Sequence, residues 1–504
     1  MSDIFDLISV PAPEFRTGPM ARHKVSRAEW QLAIDELARG GLSLLSLWAS
    51  RGAVHMALRR GETGEIGVIS VDSRRKTFPS VGVQHPAAQR LERAMVDLFG
   101  LSASGAIDAR PWLDHGVWGL RHPMGKTSEQ AIEAMDYQFL PSEGESLHQA
   151  AVGPVHAGII EPGHFRFTTQ GEIVVRLEAR LGYAHKGVDA LMSGVDARAS
   201  AHLAARVCGD SSVAYGWAYA QAVEAALGVE VPARAIWLRA LMAELERLAN
   251  HLGDIGAICN DAAFGMMLAR TSLLRERVLR ECDTCFGHRF MKDVIVPGGI
   301  TRDLDGEALR RLRVLTGEIG EAFAPLVALY DATASLLDRT VGAGVLSPEL
   351  AQNFAAGGFV GRASGRDFDA RRDLAYAPYD QLEFSVPTRR DGDVNARIWI
   401  RIDEVAQSLS LIGQILDGLP QGAIAAELPS RGAAREGLGL IEGFRGDILV
   451  WVKFDGRGRI ARCHLRDPSW FQWPLLEAVI KDNILADFPL CNKSFNCAYS
   501  GVDL

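Results

Sequence analysis

Two imidazoles, a carboxylate and a guanidinium lie within eleven consecutive positions, at His156, Glu161, His164 and Arg166. Glycines and prolines interrupt this stretch, so we predict a loop, and ionisable groups on loops often face a cavity. Imidazoles and carboxylates are also the groups that most often transfer protons in enzymes. The stretch therefore predicts a site that handles protons, with a solvated turn and incidental histidines as the alternative.

Cysteines mark three further places. Cys208 precedes Gly209 in a segment predicted to be one long helix, and a glycine inside a helix costs about 1 kcal/mol relative to alanine, so we expect a close approach there. Cys282 and Cys285 have the spacing of a zinc or redox pair. No second pair follows at zinc-ribbon spacing, which favours incidental cysteines. The apolar, charge-poor tail 487–501 is expected to be buried.

The composition excludes several classes of protein. The 504 residues include 54 lysines and arginines against 62 aspartates and glutamates, a formal net charge of −8, which argues against nucleic acid binding. Seven scattered cysteines are typical of a reduced, cytosolic protein. The sequence has no run of about 18 uncharged apolar residues and no basic secretory signal, so membrane association is expected only through partners.

An N-terminal unit over residues 1–125 is predicted to be α+β. Ser26 and Glu29 have capping-box spacing before an apolar-periodic helix. Strand patterns follow, and residues 86–99 are predicted to form a second helix. The stretch 126–148, with several serines, threonines, prolines and glycines, is predicted to be a linker.

Residues 149–504 have a different character. Long segments rich in alanine, leucine, glutamate and arginine predict helices. These segments are 196–227, 232–258, 266–286, 304–337 and 403–419. Four adjacent helices favour a bundle, and strand patterns at 172–178, 448–454 and 460–465 place β structure at its periphery. The predicted fold class is therefore α+β, a small α+β domain followed by a large, mainly helical-bundle domain.

Motifs along the whole chain, taken in order, resemble one family. They are Gly153-Pro154-Val155-His156 with Glu161-Pro162, Leu177-Glu178-x-Arg180-Leu181-Gly182-Tyr183-x-His185-Lys186-Gly187, Arg206-x-Cys208-Gly209, Pro297-Gly298-Gly299 and Asp487-Phe488-Pro489. The chain resembles the large subunit of group 4 membrane-bound [NiFe] hydrogenases, including formate hydrogenlyase, which is homologous to the D subunit of complex I. Residues 92–100 and Arg121-His122-Pro123 are similar to motifs of the complex I C subunit. The whole chain thus resembles a fused C–D subunit.

The resemblance also shows which ligands are missing. In the hydrogenases four thiolates in two C-x-x-C pairs hold nickel and iron, and hydroxyl or methyl groups cannot replace soft thiolates. The corresponding positions here are Cys208, Ser211, Ala498 and Gly501, with Cys497 beside the second pair but out of register. We therefore expect no [NiFe] centre and no tightly bound cofactor, with Cys208 as a remnant ligand position.

The quinone site of complex I is altered as well. The D-subunit tyrosine that holds the quinone headgroup falls at Gly209, and Tyr215 would point elsewhere. The loop histidines remain. The resemblance implies that His156 or His164 donates a hydrogen bond or proton to a reduced quinone or similar acceptor, and that Glu161 relays protons.

A cavity is expected where nickel lies in the hydrogenases. By the resemblance, Arg445 would overhang it and bind the carbonyl end of a substrate. Arg166, Cys208 and the three other former ligand positions would line it, beneath residues 496–501. Arg289 would face an iron–sulfur cluster of a partner subunit and raise its reduction potential.

The resemblance implies an enzyme subunit, the large catalytic-module subunit of a membrane-bound, NADH:quinone oxidoreductase-like complex. It would pass electrons between a partner's [4Fe-4S] cluster and quinone, coupled to ion translocation. The implied partners are an iron–sulfur small subunit like the complex I B subunit, a ferredoxin-like subunit and antiporter-type membrane subunits. The expected location is cytoplasmic, peripheral on the inner face of the cell membrane. The alternatives are a non-redox scaffold or coupling subunit with a relic cavity, and an active hydrogenase.

Overall fold

The N-terminal unit combines a four-stranded sheet with two helices in the computed structural model, which describes residues 22–61, 64–125, 137–156, 160–429 and 435–504. Its elements are β1 (Arg22–Lys24), α1 (Arg27–Arg39), β2 (Leu42–Ser50), β3 (Ala53–Arg60), β4 (Ile66–Asp72), β5 (Thr77–Pro79), a 3-10 helix (Pro86–Ala88), α2 (Gln89–Phe99) and β6 (Ser102–Ser104). The sheet order is β1-β4-β3-β2, with only β1 and β4 parallel. The capping box at Ser26 and Glu29 is confirmed by both of its hydrogen bonds.

The larger unit has antiparallel sheets at both ends of its sequence. The strands are β7 (Leu147–Val152), β8 (His164–Gln170), β9 (Ile173–Arg180), the short pair β10 (Ile295–Val296) and β11 (Gly299–Ile300), β12 (Glu436–Gly443), β13 (Gly446–Phe454) and β14 (Ile460–Arg466). Each outer sheet follows chain order, β7-β8-β9 and β12-β13-β14. The predicted peripheral strands are therefore present, with β7, β8 and β12 in addition.

Long helices form the body of the larger unit. The helices are α3 (Val188–Leu191), α4 (Ala197–Ala204), α5 (Ser212–Leu227), α6 (Ala233–Asp261), α7 (Gly265–Phe286), α8 (Gly306–Ala332), α9 (Ala334–Thr340), α10 (Pro348–Asn353), α11 (Gly358–Ala363), α12 (Ala370–Asp373), α13 (Val394–Gly418), α14 (Ser469–Val479), α15 (Phe488–Phe495) and α16 (Ser500–Asp503), with 3-10 turns at Tyr379–Gln381 and Leu485–Asp487. Helix α6 is central, because it packs against α7, α13 and α15. The predicted fold, an α+β domain followed by a mainly helical domain, is confirmed.

Helix α5 packs directly on strand β12. The alanine-rich helix approaches so closely that a Cβ at Gly437 or Gly439 would lie 2.0 Å from a backbone oxygen of α5. Glycine is required at both positions because any side chain would collide with the helix backbone. This contact fixes the position of the residues that precede α5 relative to the turn that follows β12.

The segment 196–227 is not one helix, contrary to the prediction. It divides into α4 and α5, and residues 205–211, including Cys208, form the turn between them. The expected close approach at Gly209 is also wrong, since a Cβ there would meet nothing within 4 Å. The break places Cys208 immediately before a helix N-terminus rather than on a helix face.

The two predicted units share a buried interface. Trp48 on β2 stacks on His464 of β14 with ring centroids 5.1 Å apart, and Arg90 pairs with Glu477 at 2.6 Å. Residues 126–136 of the predicted linker lie outside the described residues, 137–146 contain no helix or strand, and β7 begins within the predicted linker. The boundaries at 125 and 149 remain predictions. None of the described helices is long and apolar enough to cross a membrane.

Candidate functional site

The turn before α5 supplies a thiol and a carboxylate. The buried Cys208 Sγ donates a hydrogen bond to Asp210 Oδ1 at 2.9 Å, and Ser211 Oγ donates to the same oxygen at 3.3 Å. Burial, reinforced by the charge of Asp210, raises the pKa of the Cys208 thiol well above its ordinary value. Cys208 is therefore a protonated, hydrogen-bonded thiol in this arrangement.

Arg445 closes this turn from the opposite side. It lies between β12 and β13, and its guanidinium forms a two-pronged ion pair with Asp210, with Nη1 at 2.6 Å. Nη1 is also 3.3 Å from Ser211 Oγ and 3.8 Å from Cys208 Sγ, while Nε donates to the Asn496 carbonyl. Burial raises the pKa of the Asp210 carboxyl, but the charge and hydrogen bonds of Arg445 lower it by more. The pKa is therefore below its ordinary value, and the carboxyl is ionised.

The C-terminal tail covers the same region, and its expected burial is confirmed. Ala498 N donates to Ser469 Oγ at 2.8 Å, and the Ala498 carbonyl accepts from Trp473 Nε1 at 3.1 Å. Ser500 N donates to Glu161 Oε2 at 2.9 Å, which joins the tail to the loop after β7. Backbone hydrogen bonds thus hold the tail against α14 and the loop after β7, over the Cys208 turn.

These elements enclose a cavity of about 290 Å³, which we name the Cys208 cavity. Its lining residues are Ile160, Glu161, Cys208, Gly209, Asp210, Arg445, Asn492, Lys493, Asn496, Cys497, Ala498, Tyr499 and Ser500. Glu161 is exposed as well as cavity-lining, so its carboxylate connects the cavity with solvent. The structure therefore brings together the predicted Glu161, Cys208, Arg445 and Ala498.

His164 and Arg166 do not reach this cavity, although they were expected to converge there with Cys208. They lie on strand β8 rather than in a loop, so their side chains share the face opposite Phe165. Phe165 packs inward on Trp473, with ring centroids 5.9 Å apart. The other face meets Phe139, whose ring lies 4.8 Å from the His164 ring and 4.6 Å from the Arg166 guanidinium.

His156 lies beside the cavity. Its Nδ1 is 3.3 Å from the Pro154 carbonyl, and its ring centroid is 5.5 Å from that of Phe165 and 6.3 Å from that of Tyr499. His156 therefore contacts the tail that covers the cavity, on the same side of β8 as Phe165.

Other groups of the protein fill the space around the former ligand positions or bond to the residues there. A Cβ at Gly501 would lie 2.6 Å from Asp467 Oδ2, so a side chain there requires that carboxylate to move. Tyr215 OH donates to the same Asp467 oxygen at 2.9 Å, so this hydroxyl is already engaged within the protein. Ser211 is engaged by Asp210. The donor chemistry therefore does not fit a centre that needs four thiolates.

Two further predicted positions lie away from the cavity. Arg289 is exposed and pairs with Glu276 at 2.9 Å. Cys282 and Cys285 are buried on α7, and Cys285 Sγ donates to Glu281 at 3.2 Å. No contact of these residues within the described chain reaches the Cys208 cavity.

Sequence reasoning missed three residues of the site. Asp210, Asp467 and Lys493 face the former ligand positions or line the cavity, whereas Tyr499 lies within the predicted cover 496–501. A signal was available for Asp210, because a carboxylate between Cys208 and a serine in a segment expected to be buried needs a cationic partner. No local signal marks Asp467, since only the fold brings it to the tail.

Three family models match parts of the chain. Residues 47–132 match the family described as respiratory-chain NADH dehydrogenase, 30 kDa subunit, and residues 261–436 and 430–504 match its 49 kDa subunit family. Residues 186–253, which contain Cys208, match the nickel-dependent hydrogenase family. The matches to the 30 kDa and 49 kDa families agree with a fused arrangement.

Individual proteins extend these matches over most of the chain. Formate hydrogenlyase subunit 5 of Escherichia coli (strain K12) is 32% identical over 86% of this chain and 78% of its own length. The carbon monoxide-induced hydrogenase of Rhodospirillum rubrum is 30% identical over 70% of this chain and 98% of its own. The structure of the membrane-bound sulfane sulfur reductase, an archaeal respiratory membrane complex, contains a chain with a TM-score of 0.68 and 26% identity, covering 71% of this chain and 99% of that one.

Proposed function

The chain belongs to the family of large subunits shared by group 4 membrane-bound hydrogenases and complex I, with 30 kDa-type and 49 kDa-type units fused, and from that premise we propose its function. It is the large subunit of a membrane-bound oxidoreductase complex in which the Cys208 cavity takes quinone or a similar acceptor instead of a [NiFe] centre. A [4Fe-4S] cluster of an iron–sulfur partner supplies the electrons, and membrane subunits couple their transfer to ion translocation.

The observation that carries this proposal is the composition of the cavity. Of the four positions that bear thiolates in the hydrogenases, only Cys208 is a cysteine here, and its protonated thiol donates a hydrogen bond to Asp210. Yet the space is retained, lined by Glu161, Lys493 and amide groups of the tail. A polar cavity that has lost its metal ligands can hold a small neutral acceptor with hydrogen-bonding oxygens.

The chemistry needs two electrons and two protons for each quinone. The partner's cluster delivers the electrons singly, and each quinone oxygen gains one proton to become a hydroxyl. Glu161 is placed to bring protons from solvent, because its carboxylate is exposed on one side and bonded to Ser500 N on the other. His156 does not line the cavity, but its ring contacts Tyr499 of the tail that covers it. Arg289, on the exposed surface, is proposed to face the cluster of that partner.

A non-redox coupling subunit is the second candidate function. It is favoured by the state of Arg445, whose donors are taken by Asp210, Ser211 and the Asn496 carbonyl. A residue expected to bind the carbonyl end of a substrate is thus already engaged, as in a relic site. An active hydrogenase, the third candidate, is disfavoured by the ligand count.

Metal content and quinone turnover of the purified complex test the three candidates. We expect far less than one nickel per protein after expression with nickel and maturation enzymes, together with reduction of a short-chain ubiquinone. Turnover should fall at least about 10-fold in Glu161→Gln, because proton supply slows. The matched control is Glu172→Gln. Glu172 is an exposed carboxylate between β8 and β9, and it does not line the cavity.

Each alternative has its own signature in that experiment. Stoichiometric nickel or hydrogen uptake would support an active hydrogenase. A metal-free complex without quinone turnover would support the coupling role. Ser211→Cys alone should leave the nickel content unchanged, because Ala498 and Gly501 still supply no ligand.

A further inference from the structure

A second cavity lies where the two units of the chain meet, and we name it the junction cavity. Its volume is about 500 Å³, within the range of small-molecule sites. Among the described residues, its lining contains three cations and no carboxylate. The lining residues are Ser50, Arg51, Phe99, Pro123 and Met124 from the N-terminal unit and Ala190, Ser193, Lys453, Ala461 and Arg462 from the larger unit.

Two of these cations lie directly opposite each other on neighbouring strands. Lys453 on β13 is the register partner of Arg462 on β14. Partners in an antiparallel pair project to the same face of the sheet with their Cβ atoms about 5 Å apart, and like charges there repel each other. An anion bound beside the two side chains would reduce this repulsion.

The carboxylates near these two cations do not line the cavity, and one of them is shared. Arg462 is 5% exposed and pairs with Asp189 at 2.8 Å. Lys453 pairs with Glu436 at 3.3 Å, but Arg22 donates to the same carboxylate at 2.9 and 3.1 Å. Three cations therefore depend on two carboxylates, and both carboxylates lie behind the wall of the cavity.

Arg51 adds a cation from the other unit. It lies in the exposed turn between β2 and β3, and it has no hydrogen bond or ion pair among the described residues. With Arg51 included, the group has two positive charges in excess of its carboxylates. Lys453 and Arg462 also help to lower the pKa of the buried His55 well below its ordinary value. Their positive potential therefore persists beside the carboxylates that they contact.

We propose that Arg51, Lys453 and Arg462 bind the phosphate group of a soluble phosphomonoester. A phosphomonoester carries close to two negative charges at neutral pH, which matches the excess of positive charge in this group. Guanidinium and ammonium groups both bind phosphate oxygens, and Phe99 and Met124 offer apolar surface to the carbon part of the ligand.

The junction cavity shares no lining residue with the Cys208 cavity, so this inference is independent of the proposed function. A ligand in the junction cavity would contact both units of the chain. We therefore expect it to stabilise the folded arrangement of the two units.

Binding of inorganic phosphate and of glycerol 3-phosphate to the purified full chain tests the site by calorimetry at constant ionic strength in chloride buffer. Both should bind the wild type saturably. Arg51→Met and Lys453→Met should each weaken glycerol 3-phosphate about 3- to 10-fold, the effect of losing one partly exposed charged contact. Arg75→Met is the matched control, because Arg75 is an exposed arginine after β4 that does not line the cavity. Its affinity should stay within about 2-fold of the wild type, since distant surface charges are screened by salt.

Thermal unfolding provides a second readout. Glycerol 3-phosphate should raise the unfolding midpoint of the wild type, and it should raise that of Lys453→Met less at the same concentration. The midpoints without ligand show whether each variant is folded.

Three results would overturn the site. The first is the absence of saturable binding of either phosphate to the wild type. The second is an affinity that Arg51→Met and Lys453→Met leave unchanged, or that Arg75→Met lowers as much as they do. The third is capture of the chain by phosphatidylglycerol vesicles without binding of either soluble phosphate, which would assign these cations to a lipid headgroup instead.

Discussion

Two groups of buried charges lie next to each other along helix α6, and they differ in how their polar atoms are used. The first, which we name the interior charge cluster, consists of Glu244, Arg247, His251, Arg362, Asp369, Arg371, Glu404 and Glu442, none more than 1% exposed. Within it Glu404 accepts from Arg362 and His251, each at 2.7 Å. The second group is Asp210 and Arg445, which line the Cys208 cavity together with Glu161 and Lys493.

The comparison distinguishes charges that support the fold from groups that could bind a ligand. Arg247 of the interior charge cluster donates to the carbonyls of Glu442 and Gly443 at 2.8 and 3.1 Å, so the cluster holds the turn that carries Arg445. Most of its charged groups pair with one another, although Arg247 Nε and His251 Nδ1 have no hydrogen-bond partner among the described residues. Burial and charge alone therefore do not identify a functional site in this protein, and what sets the second group apart is the open cavity beside it.

The largest expected effect is the loss of a cation from the interior charge cluster. Arg362→Met should lower the free energy of unfolding by about 3–5 kcal/mol, because Glu404 and Glu442 would lose their guanidinium partner inside the protein. Denaturant unfolding measures it. Arg372→Met is the matched control, since that arginine forms partly exposed ion pairs and should cost less than about 1 kcal/mol. Equal losses in the two variants would show that the cluster is not a distinct support.

The stability of the protein should depend on pH through Glu246, which lies between the two regions. Glu246 on α6 accepts from Val213 N and Ala214 N at the start of α5, and burial raises its pKa to about 8. The folded protein then holds a proton that the unfolded chain releases near pH 4.5, so stability falls as pH rises from about 4.5 to 8 and levels off above. Glu246→Gln should remove a decline of about 5 kcal/mol over that whole pH range.

Urea unfolding at several pH values between about 5 and 8 measures that difference. The exposed Glu230→Gln serves as the control, and its pH dependence should match the wild type. If Glu246→Gln declines as steeply as the wild type, Glu246 is ionised in the folded protein, and the N-terminus of α5 carries a buried negative charge.

A smaller effect is expected beneath the tail. Tyr215→Phe should cost about 2 kcal/mol, because it leaves the buried Asp467 carboxylate without its phenol donor. Tyr219→Phe should cost about 1 kcal/mol, since its hydroxyl donates to a neutral carbonyl, that of Ala197, at 2.8 Å. Chemical unfolding of the two variants gives both values. A reversed order would mean that the hydrogen bond of Tyr215 to Asp467 contributes less to stability than that of Tyr219 to the Ala197 carbonyl.

The sequence predicts this structure well where the determinants are local. The capping box at Ser26, the long helices and the buried tail follow from spacing and composition. Glu161, Cys208 and Arg445 meet in one cavity, as their motifs predict. The prediction for His164 failed because the two-residue alternation of a strand begins right after the glycines and prolines that indicated a loop. Asp467 was not predictable, because its proximity to the tail arises only from tertiary packing.

The smallest expected effect on stability is at Tyr499, and it distinguishes an unpartnered hydroxyl from a bonded one. Removing a bonded buried hydroxyl costs stability, whereas removing one without a partner relieves its desolvation penalty. Tyr499→Phe should therefore unfold within about 0.5 kcal/mol of the wild type or be slightly more stable, in contrast to Tyr215→Phe. Denaturant titration of the ligand-free chain measures it. A loss of about 1.5 kcal/mol or more, by the same scale, would mean that the phenol is already bonded in the folded chain. The Tyr499 hydroxyl would then be used internally, as most charged groups of the interior charge cluster are.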